Sequence, residues 1–260
     1  MAKGSYFAKH IAQLENNVET PVRQILPQVQ ISEALKKIYE DGQVLLIDKP
    51  LHWTSFDVVR KIRSTLKIKK VGHAGTLDPL ATGLLIVCTG KYTKKINEYM
   101  AQAKEYTGTI TLGATTATYD KESTPENFKA FQHITEEEIK ITTLQFLGEI
   151  QQIPPVYSAI KKDGVASYEL ARRGEEVELK ARTITINEFD IITIALPIIR
   201  FRILCSTGTY IRSLAHDMGQ ALGCGGYLSE LRRTKIGEHN INDAKTMESF
   251  MNNIFENSKQ

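Results

Sequence analysis

Residues 72–83 read GHAGTLDPLATG and lead directly into the apolar run LLIVC at residues 84–88. Glycine and proline at this density predict a tightly turned loop rather than a helix, and the apolar run predicts a buried strand. Asp78 is the only acidic residue of the loop. The pattern alone leaves two interpretations of Asp78 open: a turn-forming residue, because aspartate before proline is common in turns, or a nucleophile presented by the loop.

The segment before the loop predicts a strand followed by a capped helix. The apolar run at residues 44–47 predicts a buried strand. Thr54 and Asp57 have the spacing of a capping box, which predicts a helix over residues 55–66. Apolar side chains recur at helical spacing and are expected to form the inner face of this helix. They are Phe56, Val59, Ile62 and Leu66.

The rest of the chain predicts further helices and strands. Helical spacing and end signals predict helices at residues 31–39, 135–146 and 209–222. Alternating and β-branched residues predict strands at residues 106–112, 183–196 and 198–206. Because strands recur with few long helices between them, we expect an α+β fold with a mixed, mostly antiparallel sheet flanked by helices.

The composition is that of an ordinary soluble globular chain, with 260 residues and a net charge of +3. Three cysteines without metal-ligand spacing favour a reducing compartment over a disulfide framework or a zinc site. No apolar run approaches the roughly 18 residues of a membrane span, and the first residues lack the apolar core of a signal peptide. We therefore expect a cytoplasmic protein that does not contact a membrane.

Basic residues are concentrated in the part of the chain that holds Asp78. Residues 41–100 contain ten Lys/Arg against five Asp/Glu, whereas residues 101–150 contain four against eight. A basic run precedes the loop and consists of Arg60, Lys61, Arg63, Lys67, Lys69 and Lys70. Such a run is usually a solvated helix face, and it is also what a phosphate-contacting patch requires. The charge pattern alone leaves both interpretations open.

The loop is one of several motifs that follow one another in a characteristic order. The others are LIDKP at residues 46–50, TSFDVV at 54–59, KEY at 104–106, PPVYSAIK at 154–161, YELAR at 168–172, CSTGTYIR at 205–212 and LRRT at 231–234. In this order the motifs resemble those of the TruB-type tRNA pseudouridine synthases, over roughly residues 41–240. Several long motifs in one order are far more specific than one short match. The resemblance implies the pseudouridine synthase fold, which is of the α+β kind.

The resemblance also implies a reaction, the isomerisation of uridine to pseudouridine, which breaks the N1–C1′ bond and joins C5 to C1′. By resemblance Asp78 is the nucleophile and Arg212 is the cation that pairs with it. A cation is needed because burial alone raises the pKa of a carboxylate, and the planar fork of arginine can engage both oxygens. Tyr106 is implied to stack on the flipped uracil and to assist proton transfer. The reaction needs no metal and no redox cofactor.

Five further residues are implied to bind the substrate. Tyr210 and Leu231 are expected to line the uracil pocket. His73 is expected to enter the RNA loop and fill the space left by the flipped base, without acting as an acid or base. Lys49 is expected to support the Asp78 loop and to lie near RNA phosphate, and Asp120 is expected to contact RNA.

Two positions depart from the family pattern. Ala117 replaces an aspartate often found there, and Trp53 occupies a position where relatives often have glycine. We expect both changes to alter loop shape without affecting Asp78.

The resemblance divides the chain into an N-terminal extension at residues 1–40, a catalytic domain at 41–240 and a short C-terminal tail at 241–260. About 20 residues follow Gly237, too few for the RNA-binding PUA domain that many relatives carry. The implied substrate is the T-arm of tRNA, at uridine 55 of the TΨC loop, and we expect a monomer without an obligate protein partner. The alternatives are an RNA-guided pseudouridine synthase subunit and a tRNA-folding factor without turnover.

Overall fold

The computed structural model describes residues 31–158, 160–162, 164–175 and 177–258. Within these ranges the helices are Glu33–Asp41 (α1), Ser55–Leu66 (α2), Ile96–Ala101 (α3), Glu136–Leu144 (α4), Ser167–Arg172 (α5), Ile211–Ala221 (α6) and Met247–Asn257 (α7), with 3-10 turns at Gly90–Lys95 and Ile241–Asp243. The strands are Val44–Lys49 (β1), Val71–His73 (β2), Ala81–Thr89 (β3), Lys104–Leu112 (β4), Gly148–Gln152 (β5), Lys161–Lys162 (β6), Val165–Ala166 (β7), Arg182–Ala195 (β8), Ile198–Cys205 (β9), Gly226–Ile236 (β10), His239–Asn240 (β11) and Lys245–Thr246 (β12).

Ten of these strands form one sheet in the order β12-β1-β3-β10-β4-β9-β8-β5, with β11 paired to β10 and β2 paired to β3. The β1–β12 and β3–β10 pairings are parallel, and the other pairings of this sheet are antiparallel. Strands β6 and β7 form a separate hairpin. The predicted α+β fold with a mixed, mostly antiparallel sheet is therefore confirmed.

Helix α2 begins and ends where the sequence predicts, but its inner face is different. Thr54 and Asp57 form the capping box, and the helix ends at Leu66. The prediction that Phe56 faces the core is wrong, because this side chain is 59% exposed. Ser55 and Val58 take the inward positions instead. Residues two positions apart do not share a helix face, so a face that holds Val58 cannot also hold Phe56.

The other predicted elements are present, with ends displaced by one to three residues. The strand predicted at residues 84–88 begins at Ala81, and the helix predicted at residues 31–39 begins after its N-cap, Ser32. Displacements of this size are ordinary for helix and strand ends. Within the described ranges, none of the helices combines the length and the apolar character that crossing a membrane requires.

Two apolar clusters account for most of the core. One lies between the central strands β4, β8, β9 and β10 and the helices α4 and α6. The other lies between β1, β3, α2 and α7, and α1 packs against it through Leu35 and Tyr39.

The segment predicted as a C-terminal tail is part of this second cluster. Helix α7 buries Met247, Phe250, Met251 and Ile254, and β12 extends the sheet beside β1. Residues 31–260 form one compact unit, so the boundaries predicted after residues 40 and 240 both lie inside it. The functional division of the chain stays a prediction, and the part of the predicted extension before Ile31 lies outside the described residues.

Candidate active site

The loop that carries Asp78 connects β2 to β3 and is fixed on both sides of this residue. The Ser55 hydroxyl, at the start of α2, accepts a hydrogen bond from the Leu77 amide at 2.8 Å and lies 3.2 Å from the Leu77 carbonyl, to which it donates. On the other side, the His52 amide donates to the Pro79 carbonyl at 2.8 Å. The Asp78 carboxylate is thus held in a defined position although it lies in a loop.

Gly83 allows β3 to approach β10 closely enough to form the floor of the site. It has φ +104°, and a Cβ at this position would lie 2.3 Å from the Arg233 carbonyl oxygen. Only glycine tolerates both the left-handed backbone and this contact. The resulting parallel pairing places Leu231 opposite Ala81, three residues after Asp78.

Arg212 pairs with Asp78 through two nitrogens of its guanidinium. Nε lies 2.9 Å from Oδ2, and Nη2 lies 3.4 Å from Oδ1. The Arg212 side chain is 6% exposed, and its remaining donors reach the Thr118 carbonyl at 3.1 Å and the Tyr157 carbonyl at 3.0 Å. Each of the three guanidinium nitrogens therefore has a polar partner, and these contacts fix the orientation of the group. The predicted pairing of the carboxylate with a cation is present in the geometry.

The position of Arg212 is set by the N-terminus of α6. Tyr210 is the N-cap, and its backbone is held by the buried Gln152, which accepts from the Tyr210 amide at 2.8 Å and donates to its carbonyl at 3.0 Å. These two hydrogen bonds join β5 to the start of α6, and Arg212 follows two residues later. The Tyr210 ring is half-buried.

The net effect of these surroundings is to raise the pKa of the Asp78 carboxyl above its ordinary value. Burial is the largest cause, Asp120 adds to the rise, and Arg212 and Lys49 oppose it. The Asp78 side chain is nevertheless 39% exposed to solvent. Water and the Arg212 guanidinium therefore limit the rise, because solvent screens charges at partly exposed sites.

Asp120 is buried close to Arg212. Its Oδ2 is 3.7 Å from Arg212 Nε, and its Oδ1 accepts from the Thr118 hydroxyl at 2.6 Å and from the Glu122 amide at 2.9 Å. Both carboxylates thus lie near the same nitrogen of the Arg212 guanidinium. The predicted contact of Asp120 with RNA stays a prediction.

Lys49 supports the loop from a buried position. Its side chain is completely buried, and Nζ donates to the carbonyl oxygens of Pro50, Trp53 and Pro79. Burial lowers the pKa of Lys49 to about 8, and Asp78 opposes this shift. The predicted support of the loop agrees with this geometry. The ammonium is enclosed by main-chain carbonyls, and its predicted proximity to RNA phosphate stays a prediction.

Tyr106 lies on β4, directly opposite Arg233 on β10. Burial raises the pKa of Tyr106, while the charge of the Arg233 guanidinium opposes the rise. The tyrosine is consequently a phenol at neutral pH and does not by itself act as a strong base. Its side chain is 8% exposed, and its predicted stacking on uracil stays a prediction.

A small, open pocket lies beside the paired side chains. Asp78, Asp120, Arg212 and Leu231 all line it, so four of the predicted site residues meet there. Tyr106, Tyr210, His73 and Lys49 are not among its lining residues. His73 is half-buried on β2, and burial and the Arg233 charge lower its pKa, which keeps the ring neutral at pH 7.

The comparisons with known proteins agree with this geometry. The family model described as "TruB family pseudouridylate synthase (N terminal domain)" matches residues 63–211, and "tRNA pseudouridylate synthase B C-terminal domain" matches residues 212–260. The chain belongs to the TruB family of pseudouridylate synthases. The first of these matches contains both Asp78 and Tyr106, and Arg212 begins the second.

Curated TruB relatives are similar over most of their length. The "tRNA pseudouridine synthase B" of Flavobacterium johnsoniae is 57% identical over 213 residues, which are 79% of this chain and 93% of the relative. The protein of the same name from Phocaeicola vulgatus is 50% identical over 82% of this chain and 93% of the relative. Among solved structures, a chain of a Cbf5-Nop10-Gar1 complex aligns with a TM-score of 0.65 at 27% identity, over 94% of this chain and 66% of the other.

Three polar residues of this TruB site were missed by sequence reasoning. Ser55 holds the loop, Gln152 holds the start of α6, and Arg233 donates from Nε to the Leu84 carbonyl at 2.8 Å and from Nη2 to the Gly75 carbonyl at 3.1 Å. Each is buried. Only their presence within or beside family motifs could have indicated them.

Proposed function

We propose that this TruB-family protein isomerises uridine 55 in the TΨC loop of tRNA to pseudouridine, with Asp78 as the reacting carboxylate. The observation that carries the proposal is the Asp78–Arg212 pair at an open pocket. An ionised carboxylate that is partly exposed and fixed by a buried guanidinium can attack or stabilise an electron-poor carbon. The relatives named tRNA pseudouridine synthase B support tRNA as the substrate.

The proposed reaction requires the uridine to leave the base stack and enter the pocket, because Asp78 cannot reach a base inside the folded loop of RNA. The N1–C1′ bond breaks, the uracil turns, and C5 bonds to C1′. The proton on C5 then leaves, and N1, freed from C1′, gains a proton. Asp78 stays close to the detached uracil and the sugar during the rearrangement, and Arg212 keeps the carboxylate ionised and aimed.

Three further residues of the motifs receive supporting roles in this proposal. Tyr106 packs against the reacting base as a phenol, opposite Arg233 on the neighbouring strand. Leu231 contributes an apolar wall of the pocket. His73, which is neutral, fills the space left in the RNA loop. None of these roles requires a metal or a cofactor.

The basic run before the loop supports RNA as the ligand. Arg60, Lys67, Lys69 and Lys70 are exposed, and α2 is joined to the Asp78 loop through Ser55. Exposed cations in the segment that leads to the Asp78 loop favour the approach of a polyanion. Two arginines of the run are already bonded: Arg60 pairs with Asp57 at 2.7 Å, and Arg63 donates from Nη2 to the Val71 carbonyl at 3.2 Å.

The proposal is tested with the purified protein and a T stem-loop transcript, in the absence of other RNA or protein. Chemical mapping with carbodiimide is expected to show pseudouridine at position 55 alone. Conversion of this naked RNA excludes an RNA-guided subunit, and turnover excludes a folding factor that only binds. Absence of conversion, or conversion at another position, would contradict the proposal. In a strain without this gene, loss confined to the T-loop uridine is expected.

A further inference from the structure

The turn between β1 and α2 is held rigidly against the Asp78 loop. The His52 amide donates to Pro79, the residue after Asp78. The buried Lys49 ammonium donates hydrogen bonds to the carbonyls of Pro50 and Trp53. Trp53 also packs against the second apolar cluster, so the turn and the Asp78 loop form one fixed assembly.

His52 adopts a backbone conformation that disfavours histidine. Its φ is +65°, in the left-handed region that L-residues other than glycine rarely adopt. The hydrogen bond from the backbone amide of residue 52 to the Pro79 carbonyl does not need the histidine side chain, since glycine would make the same hydrogen bond without strain. In this turn it is His52, and not Trp53, that has a positive φ. The fold therefore gives no reason for an imidazole at this position.

Three side chains of this short segment are exposed and are here called the rim: Leu51, His52 and Phe56. Leu51 is 48% exposed, Phe56 is 59% exposed, and His52 is exposed as well. Leu51 and His52 belong to the anchored turn, and Phe56 directly follows Ser55, which holds Leu77. Exposed apolar and aromatic groups on a rigid support are suited to stack against a ligand at low entropic cost.

The chemistry of the rim favours a nucleobase over a phosphate. Residues 50–56 read PLHWTSF and contain no lysine or arginine, and the ammonium of Lys49 is enclosed. Unpaired bases of RNA loops are recognised by stacking on aromatic side chains. We propose that the rim, with His52 at its centre, stacks on an unpaired nucleobase of the same RNA loop whose uridine enters the Asp78 pocket. This inference rests on the proposed function.

The test compares His52→Gly with Asn127→Gly. Asn127 is a second exposed non-glycine residue with positive φ, at +51°, and it lies outside the rim. Both glycine variants are expected to unfold at the wild-type temperature or above it, because backbone strain is relieved. His52→Gly is expected to bind the T stem-loop about five- to tenfold more weakly, whereas Asn127→Gly binds like the wild type.

A second variant separates the ring from the backbone. His52→Asn keeps a residue that tolerates the left-handed region and removes the ring, so it is expected to show the same loss of affinity. Wild-type affinity in either His52 variant would overturn the inference, and so would a loss that appears only together with a lower unfolding temperature.

Salt dependence distinguishes a base from a phosphate. The ratio of the variant Kd to the wild-type Kd is expected to stay constant between about 50 and about 200 mM salt, whereas a ratio that shrinks with salt would indicate a phosphate contact and overturn the inference. Conversion by the wild type is measured in the same samples. If the wild type converts no uridine, the proposed function fails; if it converts uridine and the His52 variants bind equally well, only the inference fails.

Discussion

Arg212 engages both carboxylate oxygens of Asp78, with Nε 2.9 Å from Oδ2 and Nη2 3.4 Å from Oδ1. This contact lowers the pKa of Asp78 against the larger raising effect of burial. Replacing Arg212 with glutamine should therefore raise the Asp78 pKa further. We expect the acidic limb of the pH–kcat profile to move to higher pH, and kcat at pH 7 to fall by about 100-fold or more.

The matched control for this variant is Arg172→Gln. Arg172 is exposed and pairs with Glu122 at 3.3 Å, so its loss should leave the pH profile unchanged. An acidic limb that stays in place in Arg212→Gln would show that Asp78 is not the group whose ionisation limits turnover.

Asp120 shifts the pKa of Asp78 in the direction opposite to the effect of Arg212. Its charge raises the pKa of Asp78, so Asp120→Asn should move the acidic limb to lower pH. At the same time kcat should fall, because Arg212 loses the second carboxylate near its Nε. The measurement is the same pH profile with stem-loop RNA. Shifts of the same sign in the Asp120 and Arg212 variants would contradict the assignment of the limb to Asp78.

Lys49 should act on the loop and not on the RNA. Lys49→Met removes the donor to the Pro79 carbonyl, and we expect kcat to fall by about tenfold while the salt dependence of RNA binding is unchanged. Lys69→Ala is the comparison, because Lys69 is exposed in the basic run. That variant should keep kcat and reduce the slope of log K against log salt by about 1. A reduced slope in Lys49→Met would contradict this prediction and would indicate that Lys49 contacts a phosphate.

Arg233 and Arg232 are neighbours that should differ strongly in their effect on stability. Arg233 is 1% exposed and bridges two main-chain carbonyls of the loop and β3. Arg232 forms a forked pair with Asp48 with its side chain 40% exposed. Lysine cannot reproduce the bridge, so Arg233→Lys should lower the free energy of unfolding by about 3 kcal/mol. Arg232→Lys should lower it by less than about 1 kcal/mol. Denaturant unfolding of both variants measures the difference, and equal losses would contradict the bracing role of Arg233.

The sequence predicts the parts of the structure that depend on local patterns. The capping box of Thr54 and Asp57 fixes the start of α2, and glycine and proline mark the Asp78 loop. The error at Phe56 arose because an apolar residue close to the helix start was assigned inward by spacing, whereas Ser55 takes that place to bind Leu77. The Asp78–Arg212 pair came from the resemblance, since these residues are 134 positions apart.

The remaining site residues could not be predicted from local patterns, because their partners are distant in the chain. Gln152 contacts Tyr210 across 58 positions, and Arg233 contacts Gly75 across 158 positions. In the sequence, Arg233 stands in the charged run LRRTK and is typical of a surface residue. Its burial follows from the position of β10 between β3 and β4, which only the assembled sheet defines.

The most direct test of the central claim is single-turnover conversion of a T stem-loop by Asp78→Asn, with RNA binding measured in parallel. Asparagine keeps the size of the side chain and one acceptor oxygen for Arg212 but removes the reacting carboxylate. We expect binding within about threefold of the wild type, and conversion at position 55 reduced by at least about 10,000-fold. Conversion at a rate near that of the wild type would contradict the assignment of Asp78 as the reacting residue.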